Sequence, residues 1–164
     1  LTRENTHIVV QQGPNVSLFT AQLSQHLRLG PVNLEAIVTY QKSSDPEVIP
    51  VPALNIYANL YLKFKIAKVL ATELGGDIRY FTSYCAPEYS PGFGYYCSQG
   101  NGENNIKVGN YPIINVYANF HLKHARFFVM MSHINSTAGN YFLTPHYPQN
   151  TSTFRFGVSW NFFN

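Results

Sequence analysis

The chain has 164 residues, enough for one domain with a sizeable core. Only 12% of them are Asp, Glu, Lys or Arg, about half the usual share for a soluble domain. The net charge of +3 comes without a basic run, which argues against nucleic acid as a partner, and no stretch approaches the roughly 18 consecutive apolar residues of a membrane helix. Taken from the N-terminus, a weak strand is expected over residues 6–12. Over residues 16–29, Phe19, Ala21, Leu23, Leu27 and Leu29 fall on one face, with Gln25 interrupting it. Thr20, Gln22, Ser24, His26 and Arg28 fall on the other, the two-residue period of a strand. Gly30-Pro31 signals a tight turn. Leu34, Ala36, Val38 and Tyr40 then alternate with Asn33, Glu35, Thr39 and Gln41. "SSDPEVIPVP" holds three prolines in ten residues and is expected to be loop.

"NIYANLYLKF", residues 55–64, sets Ile56, Ala58, Leu60, Leu62 and Phe64 against Asn55, Tyr57, Asn59, Tyr61 and Lys63. A short link is expected near residues 65–68. Leu70, Thr72, Leu74, Ile78 and Tyr80 then oppose Glu73, Asp77, Arg79 and Phe81. Residues 83–110 are rich in Gly, Pro, Asn and Tyr and read as a long loop. "NVYANFHLKH", residues 115–124, repeats the earlier motif with six of ten positions identical. Here Val116, Ala118, Phe120 and Leu122 are opposed to Asn115, Tyr117, Asn119, His121 and Lys123. A turn at His124-Ala125 leads into "RFFVMMSHIN", and residues 136–150 form another loop. In the last strand Phe154, Phe156, Val158, Trp160 and Phe162 alternate with Arg155, Gly157, Ser159 and Asn161.

Eight strands are thus expected, all antiparallel, with no helix. The two copies of the motif are each ten residues long. A globular strand has a mode of about 5–6 residues, whereas roughly 9–11 tilted residues cross a bilayer. Aromatics make up 15% of the chain and the mean hydropathy is −0.13, a combination that suits a barrel hiding its lipid face by alternation. Links after the second, fourth and sixth strands are short, and those after the third, fifth and seventh are long. Segregation of turns and loops to opposite ends is the asymmetry of an outer-membrane barrel. On that reading Ile56, Leu60, Leu62, Val116, Phe120, Leu122, Phe154, Phe156, Val158, Trp160 and Phe162 face lipid. The lumen is lined by Asn55, Tyr57, Asn59, Tyr61, Lys63, Glu73, Asp77, Arg79, Asn115, Tyr117, Asn119, His121, Lys123, Arg155 and Asn161. The lumen mixes cations and carboxylates, so only weak ion selectivity is expected. The chain opens "LTRENTH" without a Met or a signal peptide, and a processed or partial chain is expected.

Tyr147-Pro148 and "FRFGVSWNFFN", residues 154–164, resemble the C-terminal end of the putative-porin family of Bacteroidota outer membranes. "ARFFVMMSHIN", residues 125–135, resembles that family's penultimate strand. The likeness covers roughly the last hundred residues. It implies the C-terminal part of a larger barrel in a Gram-negative outer membrane, acting as a passive channel for small solutes, with neither cofactor nor catalytic site. The partners it implies are the lipid bilayer, lipopolysaccharide, other envelope proteins, and the barrel-assembly machinery reading the aromatic C-terminal strand. The alternatives are a barrel scaffold in a larger envelope complex and, less favoured, a soluble lipocalin-like binder, whose interior would be apolar.

Cys85 and Cys97 are the only cysteines and lie in the longest loop, where an oxidising compartment would allow them to form a disulfide. His121 and His124 are three apart, a spacing that sends strand side chains to opposite faces, so no metal site is expected. His133, His146, Asp45 and Glu47 fall near the loop end, but nothing sets a nucleophile beside a base and no enzyme is expected. Asn15, Asn135 and Asn150 begin Asn-x-Ser/Thr triplets in turns or loops, which these residues populate anyway.

Overall fold

Alternation of apolar and polar side chains gives each long strand two different faces, and pairing in register joins like faces into two continuous surfaces. The computed structural model describes residues 2–3, 9–10, 15–99, 105–139 and 142–162. Its main sheet has seven strands: β1 (Leu18–Leu29), β2 (Val32–Ser43), β3 (Leu54–Ile66), β4 (Leu70–Phe81), β5 (Ile113–Leu122), β6 (Ala125–Ser132) and β7 (Thr153–Trp160). They lie side by side in chain order, every pair antiparallel. Among the described residues there is no helix.

Three tight turns close one end. Gly30 takes φ 60° ahead of Pro31, the pattern of a type II′ hairpin turn. Ala67 and Lys68 both have positive φ, 51° and 60°, and the Val69 amide donates to the Ile66 carbonyl at 3.1 Å, a type I′ turn. Lys123 has φ 49° in the two-residue turn between Leu122 and Ala125. The turns therefore sit at 67–69 and 123–124, slightly displaced from the links expected at 65–68 and 124–125.

The opposite end carries residues 44–53, 82–99, 105–112, 133–139 and 142–152. Two small ribbons form within these loops, Glu88–Ser90 with Tyr95–Cys97 and Phe142–Thr144 with Tyr147–Pro148. Ala86, Cys97, Val108, Tyr111 and His133 are buried among the loops. The loops are tied to one another. The Ser98 hydroxyl donates to the Glu47 carbonyl, Tyr89 packs edge-on against Tyr147, and His146 lies 3.7 Å from Glu88.

The structure differs from the expectations at several points. The sheet does not close into a barrel: among the described residues β1 and β7 are edge strands with no pairing between them. Seven strands build it rather than eight. The strand expected over 6–12 falls largely outside the described residues, and its Val9–Val10 portion pairs instead with Thr2–Arg3. Cys85 and Cys97 are not bonded to each other in this structure. Within the ribbon it is Glu88, not Cys85, that stands across from Cys97.

Candidate functional site

Registration puts polar side chains from every strand on one face. Glu35 is paired with Asn59, Asn59 with Asp77, and Asp77 with Asn115. Glu73 stands between Lys63 and Asn119, and Arg79 opposes Tyr57. Asn55 and Tyr61 on β3, Tyr117 and His121 on β5, and Arg155 on β7 share this face. Lys123 and Asn161 lie outside the strand bounds. Lys123 sits in the β5–β6 turn, and Asn161 follows the end of β7, its amide donating to the His124 carbonyl at 2.9 Å.

Ile56, Leu60, Leu62, Val116, Phe120, Leu122, Phe154, Phe156, Val158 and Trp160 lie together on the opposite face. Phe162 lies beyond β7 and belongs to no strand. This apolar face is bare: Leu29 is 75% exposed and Phe156 74%. Most of its aromatics fall in two groups, with Phe156 mid-strand between them. Phe64, Phe120 and Phe127 fall in one cross-strand row near the turns, with Thr72 between the first two. Phe19, Tyr40, Tyr80 and Phe154 lie near the loop ends of their strands, and Phe19 and Tyr40 meet edge-on with centroids 6.4 Å apart.

The polar face is concave. One recess of about 860 Å³ is lined by residues of all six strands β2 to β7, from Ile37 to Arg155. A flat sheet would spread those strands over about 24 Å, so the sheet curls around the recess.

Hydrogen bonds hold much of this face in place. The Tyr117 hydroxyl donates to Asn59 Oδ1 at 3.0 Å, reaching across β4 to a strand that is not its neighbour. Gly75 makes that reach possible. A Cβ there would stand 2.7 Å from the Tyr117 Cζ and hydroxyl oxygen, and 2.7 Å from the Tyr61 Cβ. Gly157 likewise faces Phe128 across β6 and β7, and a Cβ on it would collide with the ring. The Asn115 amide donates to Asp77 Oδ1 at 2.9 Å, while its Oδ1 accepts the His133 backbone N–H at 2.9 Å. Asn115 thereby links the sheet to the loop after β6.

Sequence reasoning missed part of the charge. Six cationic side chains lie on the polar face, Arg28, Lys63, Lys65, Arg79, Arg126 and Arg155, against the carboxylates Glu35, Glu73 and Asp77. Each carboxylate is held within the wall. Glu35 accepts the Tyr61 hydroxyl at 2.8 Å. Glu73 accepts Asn119 at 3.1 Å and pairs with Lys63 at 3.2 Å, and Asp77 lies 3.8 Å from Arg79. Among the described residues Arg28, Lys65, Arg126 and Arg155 make no ion pair. Parity along each strand was the available signal for Arg28 and Lys65. The run "RFFVMM" is apolar on both faces, which hid Arg126, and the glycines of "ELGGD" inside a strand were the cue for the close approach at Gly75.

The loop residues are differently employed. The His133 Nδ1 donates to the Asn150 carbonyl at 2.7 Å, and its Nε2 lies 2.9 Å from the Tyr111 hydroxyl. Asp45 Oδ1 accepts the Glu47 amide at 3.0 Å, an Asx turn that shapes its own loop. Asn135 donates to the Pro112 carbonyl at 2.6 Å and accepts the Ile114 amide at 3.2 Å, so its side chain joins two loops to β5. Among the described residues no three His, Cys, Asp or Glu side chains cluster as a metal site would require.

No curated protein and no solved structure matches the chain. A family model described as "Putative porin" does, and it takes in the N-terminal residues as well as the C-terminal strands that carried the resemblance. The match runs over residues 3–164, and the chain belongs to this porin family.

Proposed function

We propose that this chain is the C-terminal wall of an outer-membrane β-barrel that serves as a porin-like channel for passive diffusion of small solutes. The observation that carries the proposal is the separation of faces by register, mostly apolar on one side (Gln25 and Lys42 apart) and mostly polar on the other. Along β3 the ten steps from Leu54 to Phe64 measure about 33 Å, or about 25 Å for a strand tilted by about 40°, the height of a barrel's apolar band. The aromatic rows bracket that band as interfacial girdles do. A bare apolar face of this size is unsuited to water, and lipid is the cover its chemistry calls for. Both edges of the sheet would be paired by further strands of the barrel. In a planar bilayer, the full-length protein purified in detergent should give stepwise, nearly ohmic conductance.

The scaffold reading draws support from one feature, the Tyr57, Tyr61 and Tyr117 side chains crowded on the polar face. If they plug the lumen, the wild type will be silent and the triple Ala variant will conduct. A folded full-length protein silent in both forms defeats the channel.

A further inference from the structure

The recess on the concave face is lined by Arg79 and Arg155, and no carboxylate is among its lining residues. Asp77, the nearest acid on that face, is 3.8 Å from Arg79 and already accepts the Asn115 amide at 2.9 Å. Among the described residues Arg155 makes no ion pair, and its cross-strand partner is Met130. Arg79 leans over the Tyr57 ring, its Cζ 5.6 Å from the centroid, while its side chain stays 67% exposed and open to a ligand. A low-dielectric wall lined by one sign of charge concentrates the field on whatever enters. The recess volume of about 860 Å³ is in the range of small-molecule sites.

We propose that this recess is a binding site for small organic anions, recognised through a carboxylate or phosphate group by Arg79 and Arg155. The inference rests on the channel reading for its physiological meaning, since it names the solute class that the wall would favour. It replaces the weak selectivity expected from the sequence, because six cations share this face with three carboxylates and none of the three lines the recess.

Equilibrium binding to the full-length protein in detergent tests it without any membrane. Glucose 6-phosphate and glucuronate share their sugar body with neutral glucose and differ from it in charge. Both anions should bind, with glucose at least about tenfold weaker, and added salt should weaken the anions selectively. Arg79→Gln and Arg155→Gln should each weaken anion binding about tenfold. Arg155→Lys should retain most of it, and Arg28→Gln, on the same face but outside the recess, should leave it unchanged. Equal binding of glucose, no binding of either anion, or an equal loss in Arg28→Gln overturns the proposal. A protein that binds the anions but stays silent in the bilayer, both as wild type and as the triple Ala variant, refutes the channel and keeps the site. One that conducts without binding them refutes the site and keeps the channel.

Discussion

At the residue scale, a methyl group on Gly75 would stand 2.7 Å from Tyr117 and from Tyr61. Gly75→Ala should therefore displace Tyr117 from Asn59 and destabilise the sheet by about 1–3 kcal/mol, read as a lower midpoint in urea unfolding from detergent or lipid. Gly92→Ala supplies the contrast: nothing lies within 4 Å, so the midpoint should shift by no more than about 0.5 kcal/mol. The two faces can be separated in the same way. Leu60→Arg would place a cation in mid-membrane at a cost of about 2–4 kcal/mol. Gln22→Arg on the polar face should be nearly neutral, and a heat-modifiability gel should rank them in that order. Asn59 is a poorer control, because its Oδ1 accepts the Tyr117 hydroxyl. Alternation alone shows Asn59 as one polar residue among several. Its partner lies 58 residues away and comes within reach only through a gap at Gly75, a relation that strand parity does not contain.

At the element scale, parity was a sufficient guide to most of the strands. Phe19 to Leu29, Ile56 to Phe64 and Phe154 to Trp160 all keep the faces their sequence implies, since each residue in an extended chain reverses direction. Parity has no say where the backbone turns, as at Lys123. It is also silent where both faces are apolar, as at Phe128 and Met130. The β3–β4 turn is open to improvement. Ala67 and Lys68 occupy the left-handed region at φ 51° and 60°, where a side chain costs about 1–2 kcal/mol. Ala67→Asn with Lys68→Gly should raise the unfolding midpoint by about 1 kcal/mol. In the longest loop, alkylation of the denatured protein without reductant should add two adducts, one each on Cys85 and Cys97. In the folded protein Cys97, 2% exposed, should react much more slowly than Cys85.

At the scale of the whole molecule, composition and strand length pointed to a membrane barrel, but closure could not be read from them. Closure depends on which strands meet at the two edges, and edge strands carry the same alternation as central ones. If lipid covers the apolar face, dilution below the critical micelle concentration should precipitate the purified protein, whereas vesicles should retain it. Recovery as a detergent-free monomer would remove the basis for the membrane reading.

The two copies of the Asn-x-Tyr-Ala-Asn motif lie on β3 and β5, which run in the same direction with β4 between them. Tyr117 is level with Tyr61 rather than with Tyr57, so the second copy is offset by four residues along the strands. One strand plus its return is therefore a module that carries its own inside, outside and slant. A lineage that copied or lost such a module would change the girth of the wall and leave the chemistry of both surfaces as it was. Width and selectivity would then be inherited separately, the first by counting hairpins and the second by exchanging single side chains.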